Sequence, residues 1–194
     1  SAPRLICGAL LTISDGPGLA ILVQDLTGWS RLCQLLTYAR CRGELSGATS
    51  PHDRNSLRKG WASIELDRVL ERTMGLEAIA VGNWTLSNAN KLQSAFGRNA
   101  SLALDFRLDG HDETRRRELH ALSEASGLPL LATANVLMHD QDRKPVQDIS
   151  CCIRLKRTLD DVGDLLESNA ERHLLSPKGM QTRFATDSVA LERG

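Results

Sequence analysis

The sequence predicts an α/β fold, and three observations carry that expectation. Short apolar runs of strand length alternate with segments whose apolar residues recur at i, i+3, i+4 and i+7, the spacing of one helix face. Glycines and clusters of Ser, Asp and Pro fall between those segments rather than inside them. Residues 101–136 read as strand, helix, strand, a βαβ unit whose crossover demands parallel pairing. Its last strand is a nearly continuous apolar run, as burial on both faces requires.

Residues 5–13 are already apolar and strand-like, an abrupt start that leaves the expectation of missing sequence upstream. Ser14-Asp15-Gly16-Pro17-Gly18 is turn chemistry, and with a second apolar run at 19–23 it predicts a β-hairpin. Leu32, Leu35, Leu36 and Ala39 mark a helix over 28–42, with Thr27 as N-cap and Gly43 as C-cap. Residues 44–60, rich in Gly, Ser, Pro, Asn and charge, predict a surface loop and the most mobile part of the chain. Helical spacing returns over 61–74 through Ile64, Leu66, Val69 and Leu70 until Gly75 stops it. A short buried strand follows at 76–81, a helix at 87–96 and a strand at 101–106. The helix at 113–126 turns Leu119, Leu122 and Ala125 inward, Gly127 caps it, and 128–136 is the next strand. Residues 147–184 read as a helix through Cys151, Cys152 and Ile153, a polar turn, a helical stretch at 159–167 and an irregular close.

The 24 basic and 24 acidic side chains leave no net formal charge, and hence no global electrostatic drive toward nucleic acid or a membrane surface. No run approaches the roughly 18 apolar residues of a membrane span, and the first residues lack the layout of a secretion signal, so a cytoplasmic location is expected. Five cysteines without a C-x-x-C pair argue against a disulfide framework or zinc knuckle. The adjacent Cys151 and Cys152 read as small apolar core residues.

Sites in parallel α/β folds lie beyond the carboxyl ends of strands, so the segments after residues 81, 106 and 136 are the places to look for chemistry. After 136 stand His139, Asp140 and Asp142, an imidazole and two carboxylates that could bind a metal, with a solvated turn as the competing reading. After 106, Asp112 is placed to cap the next helix rather than to ligate. Arg115, Arg116 and Arg117 read as a solvated face, with Glu113 four residues before Arg117 as a helix pair. Arg154, Lys156 and Arg157 are candidate nucleic-acid contacts. No glycine-rich phosphate loop with lysine, dinucleotide fingerprint or G-x-S-x-G elbow occurs.

The order of several segments resembles a known family. Leu19-Ala-Ile-Leu-Val-Gln-Asp-Leu-Thr-Gly-Trp-Ser-Arg-Leu-Cys-Gln-Leu-Leu-Thr-Tyr-Ala-Arg40 is similar to the strand, T-G-Y-x-N-L-type turn and helix of the PHP domain in bacterial C-family (DnaE-type) DNA polymerase III alpha subunits, with Trp29 in the place of the tyrosine. Leu102-Ala-Leu-Asp-Phe-Arg-Leu-Asp-Gly110, Gly127-Leu-Pro-Leu-Leu-Ala-Thr-Ala-Asn-Val-Leu-Met-His139 and Asn169-Ala-Glu-Arg-His-Leu-Leu-Ser-Pro177 follow in the family's order, and Met180 and Phe184 fit as well. The Val-Leu-Met-His and Asn-Ala-Glu-Arg-His-Leu wording is closest to the error-prone branch. The resemblance runs from about residue 5 to 184, with a divergent middle over 44–70.

It implies a PHP-like fold, a distorted seven-stranded β/α barrel present in part and lacking the opening strands with their H-x-H and T-D-H-like motifs. It also implies one segment over 1–184, with the 44–60 loop inside it, and a tail over 185–194. Active PHP domains hold two or three metal ions through histidines and carboxylates and hydrolyse phosphoesters with metal-activated water. At the matching positions this chain has Ala9 for a glutamate, Asn135 for an aspartate, Leu137 for a histidine, and Gln147 or Asp148 for a later histidine. The expectation is a degenerate metal site, no cofactor and no catalytic residue. The role would then be structural, beside the rest of a DnaE-type polymerase or its accessory proteins, with DNA met only indirectly and no membrane. Two alternatives stay open: a Zn- or Mn-dependent phosphoesterase using His139, Asp140, Asp142 and His173, and a free-standing nucleic-acid binder using Arg154, Lys156 and Arg157.

Overall fold

The computed structural model describes residues 5–14, 16–45 and 62–193. β1 (Gly8–Ile13) and β2 (Leu19–Val23) pair antiparallel with Leu11 opposite Leu19, the hairpin that the turn chemistry predicts. Strand alternation sorts their side chains, so Leu11 and Ile13 are buried while Leu10 stays exposed.

α1 (Leu26–Leu45) is longer than its sequence signals at both ends. The Asp25 carboxylate accepts the Gly28 N–H at 2.8 Å, so Asp25, not Thr27, is the N-cap. At the far end the helix continues through Gly43, which therefore does not terminate it. Residues 44 and 45 close α1, and the remainder of the loop expected over 44–60 lies outside the described residues. Leu32 and Leu35 form the buried face. Gly28 is required where it stands, because a Cβ there would lie 1.8 Å from the Gly75 carbonyl oxygen, and Gly75 itself has φ +71°.

The expected 61–74 helix is instead β3 (Ser63–Ile64), parallel to β1 with Ile64 opposite Ile13, followed by the five-residue α2 (Leu66–Leu70). Ile64, Leu66 and Val69 are all buried. A strand-then-helix satisfies their spacing as well as one helix does, and pairing with β1 decides between them.

β4 (Leu76–Ala80) lies antiparallel to β2, and β5 (Ala100–Leu104) parallel to β4 with Ala78 opposite Ala100. Between them runs α3 (Leu86–Phe96), capped by the Thr85 hydroxyl, which accepts the Asn88 N–H. α4 (Asp112–Ser126) then leads to β6 (Leu130–Ala132), completing the expected βαβ order. β6 is shorter than the 128–136 run because the Thr133 hydroxyl accepts the Asn135 N–H, a local turn that takes Asn135 to φ +45° and ends the extended chain. The strand order is β3-β1-β2-β4-β5-β6, so the fold is α/β with a six-stranded mixed sheet.

The chain forms two compact units, the first from residues up to Ala103 with Leu122–Pro129, the second from Leu104–Ala121 with Leu130 onward. In the first, Ile21, Leu35, Leu66, Leu92 and Leu102 are at most 1% exposed, and each such side chain contributes roughly 1.5–3 kcal/mol of transfer energy.

The second unit adds α5 (Lys144–Leu155), α6 (Leu159–Val162), α7 (Pro177–Arg183) and α8 (Ser188–Arg193). The close expected to be irregular is so over 168–176 but helical from Pro177, with the Ser176 hydroxyl accepting the Gly179 N–H ahead of Pro177 in the first turn of α7. Leu104, Ala132, Phe184 and Ala190 are its buried centre, with Phe106, Leu119 and Met180 packed around them. The Phe106 and Phe184 rings lie 5.0 Å apart at 41°. On α4 the inward face departs from expectation at one position: Ala125 is exposed, and Ser126 is buried with its hydroxyl donating to the Leu122 carbonyl. Cys151 and Cys152 are buried free thiols, as their reading as apolar residues requires. Among the described residues, no helix is long and apolar enough to cross a membrane.

Candidate functional site

The richest polar cluster of the second unit sits beyond the carboxyl ends of β5 and β6. Asp105 follows β5 directly, and its Oδ2 accepts from Arg107 Nε and from Asn135 Nδ2, each at 3.1 Å. The left-handed backbone of Asn135, which asparagine tolerates better than most residues, aims that amide at the carboxylate. The Asn135 carbonyl in turn accepts Arg172 Nε at 2.9 Å, and Arg172 Nη1 reaches Glu167 Oε1 at 2.6 Å. Backbone bonds lock the same segments, since the Leu137 N–H donates to the Arg172 carbonyl and the Leu174 N–H to that of Met138. Asn169 Nδ2 donates to the carbonyls of Arg107 and Leu108. Arg183 pairs with Glu171.

The loop from β5 to α4 is held from its other side. The Asp112 carboxylate accepts the Arg107 and Leu108 N–H groups at 2.9 and 2.7 Å. Asp112 is thus the first residue of α4 and a clasp on the preceding loop, not the helix cap its position predicts. Leu108 is held at φ +52°. Asp109 receives both Nη atoms of Arg115 at 2.8 and 2.9 Å; these bonds, aided by the His111 N–H and opposed by burial, lower its pKa to about 2.

Arg115 and Arg116 are therefore not a solvated face. Both are half-buried in ion pairs, Arg116 through Nε to Asp187 at 2.9 Å, and only Arg117 stays exposed, beside Glu113 as expected. Asp187 has a side chain 1% exposed and also binds His120 Nε2 at 2.7 Å and Thr186 Oγ1 at 2.9 Å. Burial pushes its pKa up, but the bonds from Arg116, His120 and Thr186 outweigh burial and the net shift is downward. An ionised carboxylate only accepts, so His120 Nε2 carries a proton. An open cleft of about 830 Å³ lies alongside, lined by Phe106, Leu108, Arg116, Lys178, Thr182 and Arg183.

The candidates from sequence are placed as follows. Ala9 is on β1 in the first unit, half-buried. Asn135 is in the Asp105 cluster, Leu137 contributes only its backbone to that region, and Gln147 is half-buried on α5. His139, Asp140 and Asp142 are exposed, and the Asp140 carboxylate accepts the Asp142 N–H at 3.0 Å to cap a short 3-10 turn over Gln141–Arg143. Asp148 pairs with Lys144 at 2.7 Å. The His173 Nδ1 bonds the Ala170 carbonyl. Among the described residues, no group of three or more His, Cys, Asp or Glu side chains is placed to share a metal ion. At the end of α5, Arg154 donates to Cys151 Sγ and Arg157 to the Asp161 carbonyl, while Lys156 closes the helix at φ +55°.

Sequence reasoning missed Asp105, Arg172, Glu167 and the Asp187 triad. Only Asp105 carried a local signal, as a carboxylate directly after a strand. The others depend on distant partners: Arg172 meets Asn135 across 37 residues of chain, and Asp187 meets His120 and Arg116 across 67 and 71, while Glu167 joins only through Arg172.

No family model matches the chain. It is homologous to error-prone DNA polymerases over nearly its whole length. It is 31% identical over 185 residues to one from Mesorhizobium japonicum, 32% identical over 189 residues to one from Bradyrhizobium diazoefficiens, and 33% identical over 178 residues to one from Pseudomonas syringae pv. tomato. Those alignments cover 95%, 94% and 89% of this chain, and the chain spans only 16% of the length of each of these relatives.

Proposed function

We propose that the chain is the PHP-domain portion of an error-prone DnaE-type DNA polymerase, a segment of the distorted β/α barrel whose metal site has degenerated. Its role is structural: it supports the polymerase core and its accessory proteins during DNA synthesis across damage. The observation that carries this reading is the alignment itself, 31% identity across 95% of the chain but 16% of a relative named as an error-prone polymerase. A segment so placed contributes to the activity of a larger polypeptide.

The chemistry at the PHP positions supports a non-catalytic role. Ala9 and Leu137 offer no metal donor, and the Asn135 amide is spent on Asp105. The Asp105 carboxylate faces the Arg107 guanidinium at 3.1 Å. A metal cluster needs carboxylates and imidazoles converging without a cation among them, because a guanidinium competes for the same lone pairs and repels the ion. These residues do not fit the PHP metal cluster.

The test combines metal analysis with two activity assays. The 194-residue chain, dialysed against Zn²⁺ or Mn²⁺, should retain no stoichiometric metal, should not hydrolyse bis-p-nitrophenyl phosphate above buffer, and should extend no primer. Stoichiometric metal with hydrolysis, both lost in His139→Ala, would establish the phosphoesterase instead. Primer extension by the chain alone would overturn the proposal outright.

A further inference from the structure

The cleft of about 830 Å³ in the second unit is bounded by the segment that follows β5, the start of α4, and α7. It lies beyond the carboxyl end of β5, where α/β folds bind ligands, and its volume falls in the range of small-molecule sites. Phe106, Leu108 and Leu175 give it an apolar lining. Leu108 is the informative member, a bulky residue at φ +52° that is still 58% exposed. The Asp112 carboxylate accepts its N–H at 2.7 Å and Asn169 Nδ2 donates to its carbonyl at 3.1 Å, so two neighbours hold a backbone conformation that leucine adopts only at a cost. The core gains no buried leucine in return. What is gained is an apolar side chain presented to the cleft.

The two polar walls differ in charge. The α7 wall, with Lys178, Thr182 and Arg183, holds no carboxylate. Glu171 neutralises Arg183, whereas Lys178 forms no ion pair among the described residues. The Thr182 hydroxyl donates to the Lys178 carbonyl, which leaves its lone pairs free to accept. The α4 wall carries Asp112, Glu113 and Arg116. Asp112 is saturated by the N–H groups of Arg107 and Leu108 and by Arg115, and Arg116 is matched by Asp187. Glu113 has a side chain 68% exposed and only long ion pairs, to Arg116 at 3.7 Å and Arg117 at 3.9 Å, so it keeps acceptor capacity.

These features exclude the simpler occupants. An inorganic anion would meet Lys178 and leave the apolar lining in water. A fatty acid would cover the lining but set hydrocarbon against Glu113 and Thr182, stripping both of water without a partner. The complement is a molecule with an anionic group at one end, an apolar body and hydroxyl or amine donors at its rim. We propose that this cleft binds a nucleoside monophosphate, with the phosphate on Lys178, the base against Phe106, Leu108 and Leu175, and a sugar hydroxyl or base amine donating to Glu113 and Thr182. The proposal stands on the cleft alone and goes beyond the structural role inferred above, which its failure would leave intact.

The experiment is isothermal titration calorimetry on the full 194-residue chain with four probes: deoxyadenosine monophosphate, deoxyadenosine, inorganic phosphate and octanoate. The nucleotide should bind one to one and at least about tenfold tighter than each of the others, a ratio within reach of one charge-assisted hydrogen bond. Lys178→Ala, at an exposed position, should weaken the nucleotide about tenfold and leave the nucleoside unchanged, and Lys178→Arg should restore most of the loss. Leu108→Asn keeps the left-handed backbone, which asparagine tolerates, and should weaken nucleotide and nucleoside alike by about tenfold. Far-UV circular dichroism on each sample ensures that affinities are compared between folded proteins. The proposal is overturned by any of four results: no saturable binding of the nucleotide, equal affinity for the nucleoside, octanoate binding as tightly as the nucleotide, or Lys178→Ala without effect.

Discussion

Replacing Asp187 with asparagine isolates the triad that ties α4 to the start of α8. The carboxylate is 1% exposed and accepts three bonds, from Arg116 at 2.9 Å, His120 at 2.7 Å and Thr186 at 2.9 Å. Asparagine keeps the shape and one acceptor but turns the other oxygen into a donor facing an N–H, and it removes the counter-charge of Arg116. One charge-assisted bond is worth about 1.5–3 kcal/mol, and stranding one partner of a fully buried pair costs about 3–5 kcal/mol. Arg116 and His120 are 25% and 41% exposed, so water rehydrates both and the cost belongs toward the lower figure, about 2–3 kcal/mol. With a urea slope of about 1–3 kcal/mol per molar, Asp187→Asn should lower the midpoint of the transition by about 1 M at neutral pH.

The choice of probe matters for this measurement. Trp29 and Trp84 lie in the first unit, so their fluorescence follows it; Trp61 lies outside the described residues. Far-UV circular dichroism, which sees α5 to α8, is the relevant signal. The pH dependence has a defined sign. Asp187 has a folded pKa below its unfolded value, so its contribution is complete above the unfolded pKa and is lost as pH falls through the folded one. The gap between wild type and variant should therefore close on acidification. A dichroism midpoint unchanged within about 0.2 M at neutral pH would refute the reasoning, because it would mean that solvent replaces the carboxylate at no cost.

Two further predictions test other joints. Asp109, lowered from 3.8 to about 2 chiefly by its bonds to Arg115, stabilises the folded state above pH 4 by at most about 2 kcal/mol and loses that contribution as pH drops toward 2. Asp109→Asn should flatten that part of the acid limb in a series of urea midpoints, and an unchanged limb would remove Asp109 from the account. Gly28→Ala drives a methyl to 1.8 Å from the Gly75 carbonyl oxygen, which the backbone can relieve only by moving, so a loss of about 3 kcal/mol should appear in the tryptophan-fluorescence transition. A variant as stable as the parent would show that the two segments part freely.

Much of the fold was legible because its signals are local. The 14–18 turn announced the β1–β2 hairpin, Gly127 marked the end of α4, and alternating strand and helix patterns announced the α/β class. The signals failed where two local readings were equally good. Asp25 and Thr27 are both capping residues, and which one caps depended on the close packing of Gly28 on Gly75. The apolar spacing through Ile64, Leu66 and Val69 suited a helix, and β1 claimed its start as a strand.

The candidate site was less legible. The order of segments alone pointed to error-prone DNA polymerases, and the homology over 95% of the chain agrees with it. Ala9 and Leu137 could be read as lacking a metal donor from side-chain chemistry alone, since no fold gives a hydrocarbon a lone pair. The fate of Asn135, Asp112, Arg115 and Arg116 could not be read in this way. Each is a polar group with several possible partners, and the choice was made by Asp105, Arg107, Asp109 and Asp187, some five or six residues away and some as far as 71. Sequence determines periodicity, turns and the presence or absence of a donor because these belong to a residue and its neighbours. Only the tertiary structure decides which charge meets which, because that depends on distances set by the packing of the whole unit, and here it turned an apparent solvated arginine face into the ion-paired frame of the second unit.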